Sequence, residues 1–329
     1  MIITRTPFRI SFVGGGSDLK SFYSKFPGAV LSTTINQYMY ISSHPFFNKE
    51  ESVLKYSQTE KVSNLNQIKH PIFREVLKKF KLRAIEINSN ADVPGGTGLG
   101  SSSSFTVGLL HNLYVKQGQH ISKGQLAEEA CSIEINKLKE PIGKQDQYAA
   151  SFGGLNIIRF NSSRGVEVEP LHLLTKTYQD LQENLLMFYI GETTRRKASS
   201  ILTEQNKNMS SEIKVETVRK MVDLVEELRK VLFKDRLNQF GEILHQNWLL
   251  KQKLAPKITN PHINILYNKA LKNGAIGGKL LGAGGGGFLL FYCPKKKQSK
   301  LRKAMQPLRE QVFQFETEGS RLIYSNEYE

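Results

Sequence analysis

The sequence predicts an α+β protein of two domains, and three observations carry that expectation. Its 329 residues exceed what one hydrophobic core usually serves. Strand-like and helix-like runs follow one another without regular βαβ repetition, and no internal repeat is visible. The apolar pattern fades over residues 161–176, which divides the chain into an N-terminal domain, 1–170, and a C-terminal domain, 171–329.

Residues 2–13 have the composition of a strand and end on Gly14-Gly15-Gly16-Ser17-Asp18, a turn that calls for unusual backbone angles. A second strand is expected from Ala29 to Ser42. Residues 43–70 read as polar and irregular, with one short strand near Val53 to Tyr56. Pro71 to Phe80 reads as a helix and Ala84 to Ile87 as a strand. Ser122 and Gln125 form a capping box that starts a helix carrying Leu126, Ala130, Ile133 and Leu138 until Pro141 stops it. A short helix over 143–151 and a strand from Leu155 to Phe160 complete the first domain.

The second domain begins with a strand from Leu185 to Ile190, followed by helices over 215–233 and 236–253. Asn260 caps another helix with Pro261 at its first position, and Asn273-Gly274 ends it. The apolar runs 276–281 and 288–292 flank a glycine-rich loop. A basic helix and a strand near Val312 to Phe315 close the chain.

Composition narrows the function classes. Hydrophobic residues at 39% and charged residues at 23% are ordinary for a globular protein. No run reaches the eighteen or so apolar residues of a membrane helix, and the chain opens on a strand-like segment rather than a signal peptide. Cys131 and Cys293 form no metal pattern and imply no disulfide framework, which fits the cytoplasm. The formal net charge of +16 admits nucleic acid, a membrane surface or anionic small molecules as partners. Lys295, Lys296, Lys297, Lys300, Arg302 and Lys303 cluster near the end, but with Leu301, Met305 and Leu308 they fit the solvated face of an amphipathic helix. Small-molecule substrates are the expected partners, with no nucleic acid and no membrane, and the protein is expected to be a monomer or homodimer.

The stretch Pro94-Gly95-Gly96-Thr97-Gly98-Leu99-Gly100-Ser101-Ser102-Ser103-Ser104-Phe105 organises the chain. Its glycines permit positive φ and bring backbone N–H groups close to an anion. The serines open a helix whose free N–H groups and positive dipole end point the same way. A flexible linker would have the glycines and serines but not the apolar flanks, Ile85 and Ile87 before and Phe105, Val107, Leu109, Leu110 and Leu113 after. The chain contains no GxxxxGK[ST] and no protein-kinase signature set.

PxxxGLGSSS resembles the central motif of the GHMP kinases, the family of galactokinase and of homoserine, mevalonate and phosphomevalonate kinases, and three separated motifs occur in that family's order. The resemblance implies a ribosomal protein S5 domain 2-like N-terminal domain, a ferredoxin-like C-terminal domain, and ATP and Mg²⁺ as cosubstrate and metal. It implies ATP contacts at Pro94, Gly95, Gly96, Gly98, Leu99, Gly100, Ser101, Ser102 and Ser103, and metal ligands at Ser102 and Glu134. Gly143-Lys144-Gln145-Asp146-Gln147 resembles the GxxDQ segment that holds the catalytic aspartate, so Asp146 is the candidate base, or the group that orients the acceptor hydroxyl. Arg9 is the cation beside it. Each has a structural alternative: a solvated helix carboxylate for Glu134, a dipole-stabilising aspartate for Asp146, and an outward strand arginine for Arg9.

The first motif, Thr6 to Asp18, resembles the substrate side of sugar kinases and assigns Gly15, Gly16, Ser17 and Asp18 to the acceptor. A carboxylate there can take two adjacent hydroxyls. Its Gly-Gly-Gly-Ser-Asp form departs from galactokinase and is similar to the D-glycero-D-manno-heptose 7-phosphate kinases and, more distantly, the fucokinases. Lys279-Leu-Leu-Gly-Ala-Gly-Gly-Gly-Gly287 fails as a dinucleotide fingerprint because a strand follows it. As the third motif it assigns Gly284, Gly285 and Gly286 to substrate, with a plain hairpin as the alternative. An acceptor phosphate would need basic side chains, for which Lys144 and the run Arg195-Arg196-Lys197 are candidates. A fucokinase or other hexose 1-kinase, and a sugar-binding sensor without catalysis, are the competing readings.

Overall fold

The computed structural model describes residues 1–191 and 195–326; the side chains of Arg195, Arg196 and Lys197, candidates for an acceptor phosphate, lie outside what it describes. Its hub is the strand Gly28–Pro45, eighteen residues long. One edge of that strand pairs antiparallel with Ile2–Val13 over nearly its whole length. The other edge is shared, residues 28–33 pairing with the strand Leu155–Asn161 and residues 39–45 with Ile85–Ala91. One strand too long for a single partner thereby splits a nine-stranded sheet into two arms. All its pairings are antiparallel except Ser52–Lys55 beside Ile85–Ala91.

The second sheet orders its strands Leu185–Tyr189, Phe288–Tyr292 and Gly277–Leu280, all antiparallel. A bridge between Phe188 and Glu310 adds a fourth position on the outer side of Leu185–Tyr189. Numbered along the chain, the order is 4-1-3-2, the ferredoxin-like order with its last strand reduced to a bridge. Two helices, Glu212–Phe233 and Leu237–Gln252, lie between the sheets. Their apolar stripes, including Leu224, Val225, Leu228, Phe240 and Leu244, join Phe12, Val13 and Leu31 of the first sheet in one core. A continuous core of this kind fixes the two halves against each other.

Four expectations change. The division into 1–170 and 171–329 fails for the tail. Phe315–Glu316 pairs with the hub strand, and Arg321–Ser325 pairs with Ile2–Arg5, so the chain's end returns to the first sheet and no strand spans Val312 to Phe315. The polar stretch after residue 161, where the domain boundary was expected, is regular structure. Gly165–Pro170 is an edge strand whose mixed polarity reflects one solvated side, and Thr175–Glu183 is a helix. The helix over 195–208 and the strand Thr59–Val62 carry no clear sequence period. Finally, the helix opened by Ser122 is α-helical only over Lys123–Cys131 and becomes a π-helical turn over Ser132–Lys137. Only half of the capping box forms: Ser122 accepts from the Gln125 N–H, while the Gln125 amide donates to Glu129.

Candidate active site

The strand Ile85–Ala91 runs into the glycine-rich loop, and Gly100, at φ 79°, opens the helix Ser101–Lys116 without a side-chain cap. The first-turn N–H groups therefore keep their donor capacity for a ligand. Buried Phe105, Val107, Leu109, Leu110 and Leu113 anchor this helix on several sides. Gly98, at φ 84°, faces the second glycine loop so closely that a Cβ would stand 2.5 Å from the Leu281 carbonyl oxygen. That approach closes the glycine-rich loop against the C-terminal half.

A cavity of about 620 Å³ lies over the loop, and Gly95, Gly96, Gly98, Gly100 and Ser101 to Ser103 line it. Pro94 and Leu99 do not: the Pro94 carbonyl accepts from the Thr97 hydroxyl, and buried Leu99 accepts the Arg9 N–H with its carbonyl. These two hold the loop's shape. The cavity's far wall is Met39, Tyr56, His70 and Phe105, an apolar and aromatic surface suited to a planar base. Tyr56 and His70 pack edge to face with centroids 4.8 Å apart, and His70 lies tilted against Phe105 at 5.2 Å. Tyr56 and His70 of this wall come from 43–70, the stretch expected to be irregular.

A smaller cavity of about 100 Å³ adjoins the first, and both share Arg9, Asp146, Gly282 and Ala283. At the join, Arg9 donates through Nε and a terminal nitrogen to the two Asp146 oxygens, each at 2.7 Å, and through its other terminal nitrogen to the Gly98 carbonyl at 2.6 Å. This is the bidentate fork that arginine makes with a carboxylate, so Arg9 is not an outward strand residue. Each Asp146 oxygen takes one guanidinium N–H and keeps a second lone pair.

Gly15, Gly16 and Asp18 line the small cavity. Asp18 accepts from the Gly16 N–H at 3.1 Å and the Gln145 N–H at 3.3 Å. Gly143 makes room for it, since a Cβ there would fall 1.9 Å from an Asp18 oxygen. Burial, and then the neighbouring Asp146 charge, push the Asp18 carboxyl up to about 6.

Glu134 sits in the π-helical turn, buried, and accepts from the Ser102 hydroxyl at 2.9 Å and the Gln147 amide at 2.7 Å. A π-turn inside a helix is frequent at functional sites, and here it carries a buried carboxylate, whereas Glu128 in the preceding turn is exposed and pairs with Lys144. Burial raises the Glu134 pKa despite these donors. Ser102 and Glu134 both line the larger cavity.

Several assigned residues lie elsewhere. The Ser17 hydroxyl is buried and donates to the Gly14 and Ala29 carbonyls, so it ties the turn rather than facing the cavity. Lys144 pairs with Glu128 at 2.8 Å and lines neither cavity. In the second glycine loop the walls are Gly282 and Ala283; Gly284 packs on Ile258, Gly285 donates to its carbonyl, and Gly286 lines neither cavity.

Other residues were missed. Ser11, Gln145 and Gln205 line the small cavity, and the Ser11 hydroxyl, the Gln145 carbonyl oxygen and the Gln205 amide nitrogen are buried without hydrogen-bond partners. Three orphaned polar atoms around one hollow are the complement of a hydroxyl-rich ligand. Lys251 and Lys279 line it too. Phe240, Leu244, Asn247 and Lys251 recur at helical spacing on one buried face, so a lysine on an apolar stripe was the available signal.

Fold, loop and paired cavities together define an enzyme that moves a phosphoryl group from a nucleoside triphosphate to a small-molecule hydroxyl. Models of the GHMP kinases N terminal domain and of the GHMP kinases C terminal region match residues 66–154 and 223–309, and the chain belongs to the GHMP kinase family, phosphotransferases with an alcohol as acceptor. The D-glycero-alpha-D-manno-heptose 7-phosphate kinase of Campylobacter jejuni is 28% identical over 97% of each chain. A crystal structure of a D-glycero-D-manno-heptose 1-phosphate kinase from Bacteroides thetaiotaomicron shares the fold, with a TM-score of 0.80 and 22% identity over 99% of this chain and 100% of that one. The bifunctional fucokinase/GDP-fucose pyrophosphorylase of Arabidopsis thaliana is 26% identical over 91% of this chain, which spans 30% of that protein. Among the described residues no helix is long and apolar enough to cross a membrane.

Proposed function

We propose that the chain transfers the γ-phosphoryl group of Mg·ATP to the anomeric hydroxyl of D-glycero-D-manno-heptose 7-phosphate, a step toward nucleotide-activated heptose. The observation that carries this reading is the Arg9–Asp146 fork at the join of a large, phosphate-loop cavity and a small, polar one. The full-length likeness to the Campylobacter jejuni enzyme supports the heptose acceptor over fucose.

The loop N–H groups at 95–103 hold the triphosphate, and the aromatic wall takes the base. Ser102 and Glu134 suit Mg²⁺. A hydroxyl and one buried carboxylate are 2.9 Å apart at the edge of the phosphate cavity, and burial leaves that carboxylate short of positive charge. Among the described residues no larger cluster of acidic and histidine side chains forms a cage, which fits an ion that takes most of its shell from phosphate oxygens and water. Bound there, Mg²⁺ supplies neutralisation of phosphate charge.

In the small cavity Asp18 accepts sugar hydroxyls, and Ser11, Gln145 and Gln205 meet others. Asp146 receives the proton of the reacting hydroxyl as its oxygen bonds to the γ-phosphorus and the bond from that phosphorus to the bridging oxygen breaks, releasing ADP. Arg9 fixes the carboxylate's orientation. The test is ADP release with Mg·ATP against heptose 7-phosphate, fucose, galactose and mannose in parallel, with the product placed by NMR. Preference for the heptose phosphate with new phosphate on C1 supports the reading. Preference for an unphosphorylated sugar moves it to a hexose 1-kinase, and ATP binding without turnover of any acceptor moves it to a sensor.

A further inference from the structure

Lys251 closes the helix stripe that faces the small cavity, with 8% of its surface exposed. Its ammonium donates to the Gly282 carbonyl, and Gly282 belongs to the wall shared by both cavities. An ammonium has three N–H donors, so this contact leaves two. Among the described residues no carboxylate comes within ion-pair distance of it. The other cations here are already engaged. Arg9 is spent on Asp146 and Gly98, and the Lys279 amine donates to the Ser11 and Phe12 carbonyls at 2.6 and 2.8 Å. A cation buried without a counter-charge costs several kcal/mol unless a ligand completes its shell.

We propose that Lys251 is a catalytic residue of the acceptor cavity: its free N–H donors bind the acceptor's reacting oxygen and a neighbouring one, and offset the negative charge that builds on the reacting oxygen as its proton leaves for Asp146. The inference rests on the phosphotransfer reading above but not on which sugar is the acceptor. The donors of Lys251 and the acceptor Asp18 give the lining of the hollow complementary hydrogen-bonding groups. A polyol whose neighbouring oxygens can both accept and donate satisfies both at once.

The charged groups that face the ammonium are Arg9 from strand Ile2–Val13, Asp18 from the loop after it, Asp146 from helix Gln145–Phe152 and Lys279 from strand Gly277–Leu280. Burial, and then Arg9, lower the Lys251 pKa to about 8, while Asp18 and Asp146 oppose the shift. The cation is therefore present at neutral pH and lost as pH rises through 8. In the unfolded chain the amine stays protonated to higher pH, so its burial weakens the fold most at neutral pH and least above the ordinary lysine pKa.

The experiment compares the full-length protein with Lys251→Met for acceptor and ATP kinetics and for thermal midpoint, between pH 6 and 9.5. The expected result is a fall of about 100-fold in kcat/KM for the acceptor, with KM for ATP within about threefold, as for loss of one charged donor to the transition state. An alkaline limb near pH 8 in the parent profile should vanish in the variant, whose thermal midpoint should rise at neutral pH. Acceptor kcat/KM within threefold of the parent, or an unchanged alkaline limb, would overturn the proposal. So would a variant that melts lower and loses ATP and acceptor affinity alike, since that marks a structural anchor for Gly282. A loss confined to phosphorylated acceptors and absent with their unphosphorylated analogues would also overturn it. Should the parent turn over no acceptor, the functional reading fails separately, and a thermal midpoint unaltered by Lys251→Met would then reject the unpaired buried cation as well.

Discussion

The two cavities on either side of Arg9–Asp146 are built in different ways. The larger one draws its glycine- and serine-rich wall from a single run, Gly95 to Ser103, and presents backbone N–H groups at a helix start. The smaller one is assembled from separated segments and presents the side chains of Ser11, Asp18, Gln145, Gln205 and Lys251. A phosphate is the same in every nucleotide, so a fixed backbone cradle serves it. Acceptors differ in stereochemistry, and side chains on independent elements can be exchanged one at a time without disturbing the cradle.

Breaking the join should have the largest effect. Asp146→Asn leaves a neutral isostere in the Arg9 fork, and kcat should fall by about 1000-fold with ATP affinity little changed. Turnover within about tenfold of the parent corresponds to only about 1.4 kcal/mol of barrier and would mean that Asp146 is not essential. On the cradle side, Glu134→Gln should cost about 100-fold in kcat/KM for Mg·ATP and raise the Mg²⁺ concentration needed for half-maximal rate. A Mg²⁺ titration that superimposes on the parent's would remove Glu134 from the metal's shell.

On the acceptor side, Asp18→Asn should raise acceptor KM by about 10- to 100-fold and leave ATP KM alone. It carries a second signature. The folded pKa, about 6, lies above the ordinary 3.8, so between these values the native state holds more protons than the unfolded one. This group's contribution therefore falls as pH rises from about 4 to 6, and the parent loses it at neutral pH. Asp18→Asn should be more stable than the parent at pH 7, with a difference that shrinks toward pH 4; melting curves at the two pH values check this. The smallest effect belongs to Lys144→Ala. Its amine serves Glu128, so acceptor KM should move by less than about threefold, the scale of losing a partly exposed ion pair. A tenfold rise in KM for a phosphorylated acceptor alone would return Lys144 to the binding site.

Legibility in the sequence followed the same division. The glycine-rich loop and the helix it opens were readable because permissive glycines and a helix start coincide within twelve residues between apolar flanks. The helix Pro71–Phe80 and the Asn260-capped helix were readable from local rules, Pro at the first turn and an Asn side chain that accepts the Ile263 N–H. Helix Arg195–Asn208 was not, since it is mostly polar and takes its place from contacts such as that of Asn206 with Pro141. Ser17 and Lys144 stood in motif segments with the right chemistry, and only their partners in space, the Gly14 and Ala29 carbonyls and Glu128, showed them turned away from the cavity.

By itself the sequence determined the α+β class, the family, the glycine-rich loop at a helix start and the candidates Arg9, Asp18, Glu134 and Asp146, because each is written in short contiguous patterns governed by local backbone chemistry. Tertiary structure alone decided the return of the C-terminal tail to the first sheet, the π-turn that points Glu134 inward, and the convergence of Ser11, Gln145, Gln205 and Lys251 on one hollow. Those outcomes depend on which strand edge is free and which helix face is buried, and both are properties of the packed chain rather than of any segment of it.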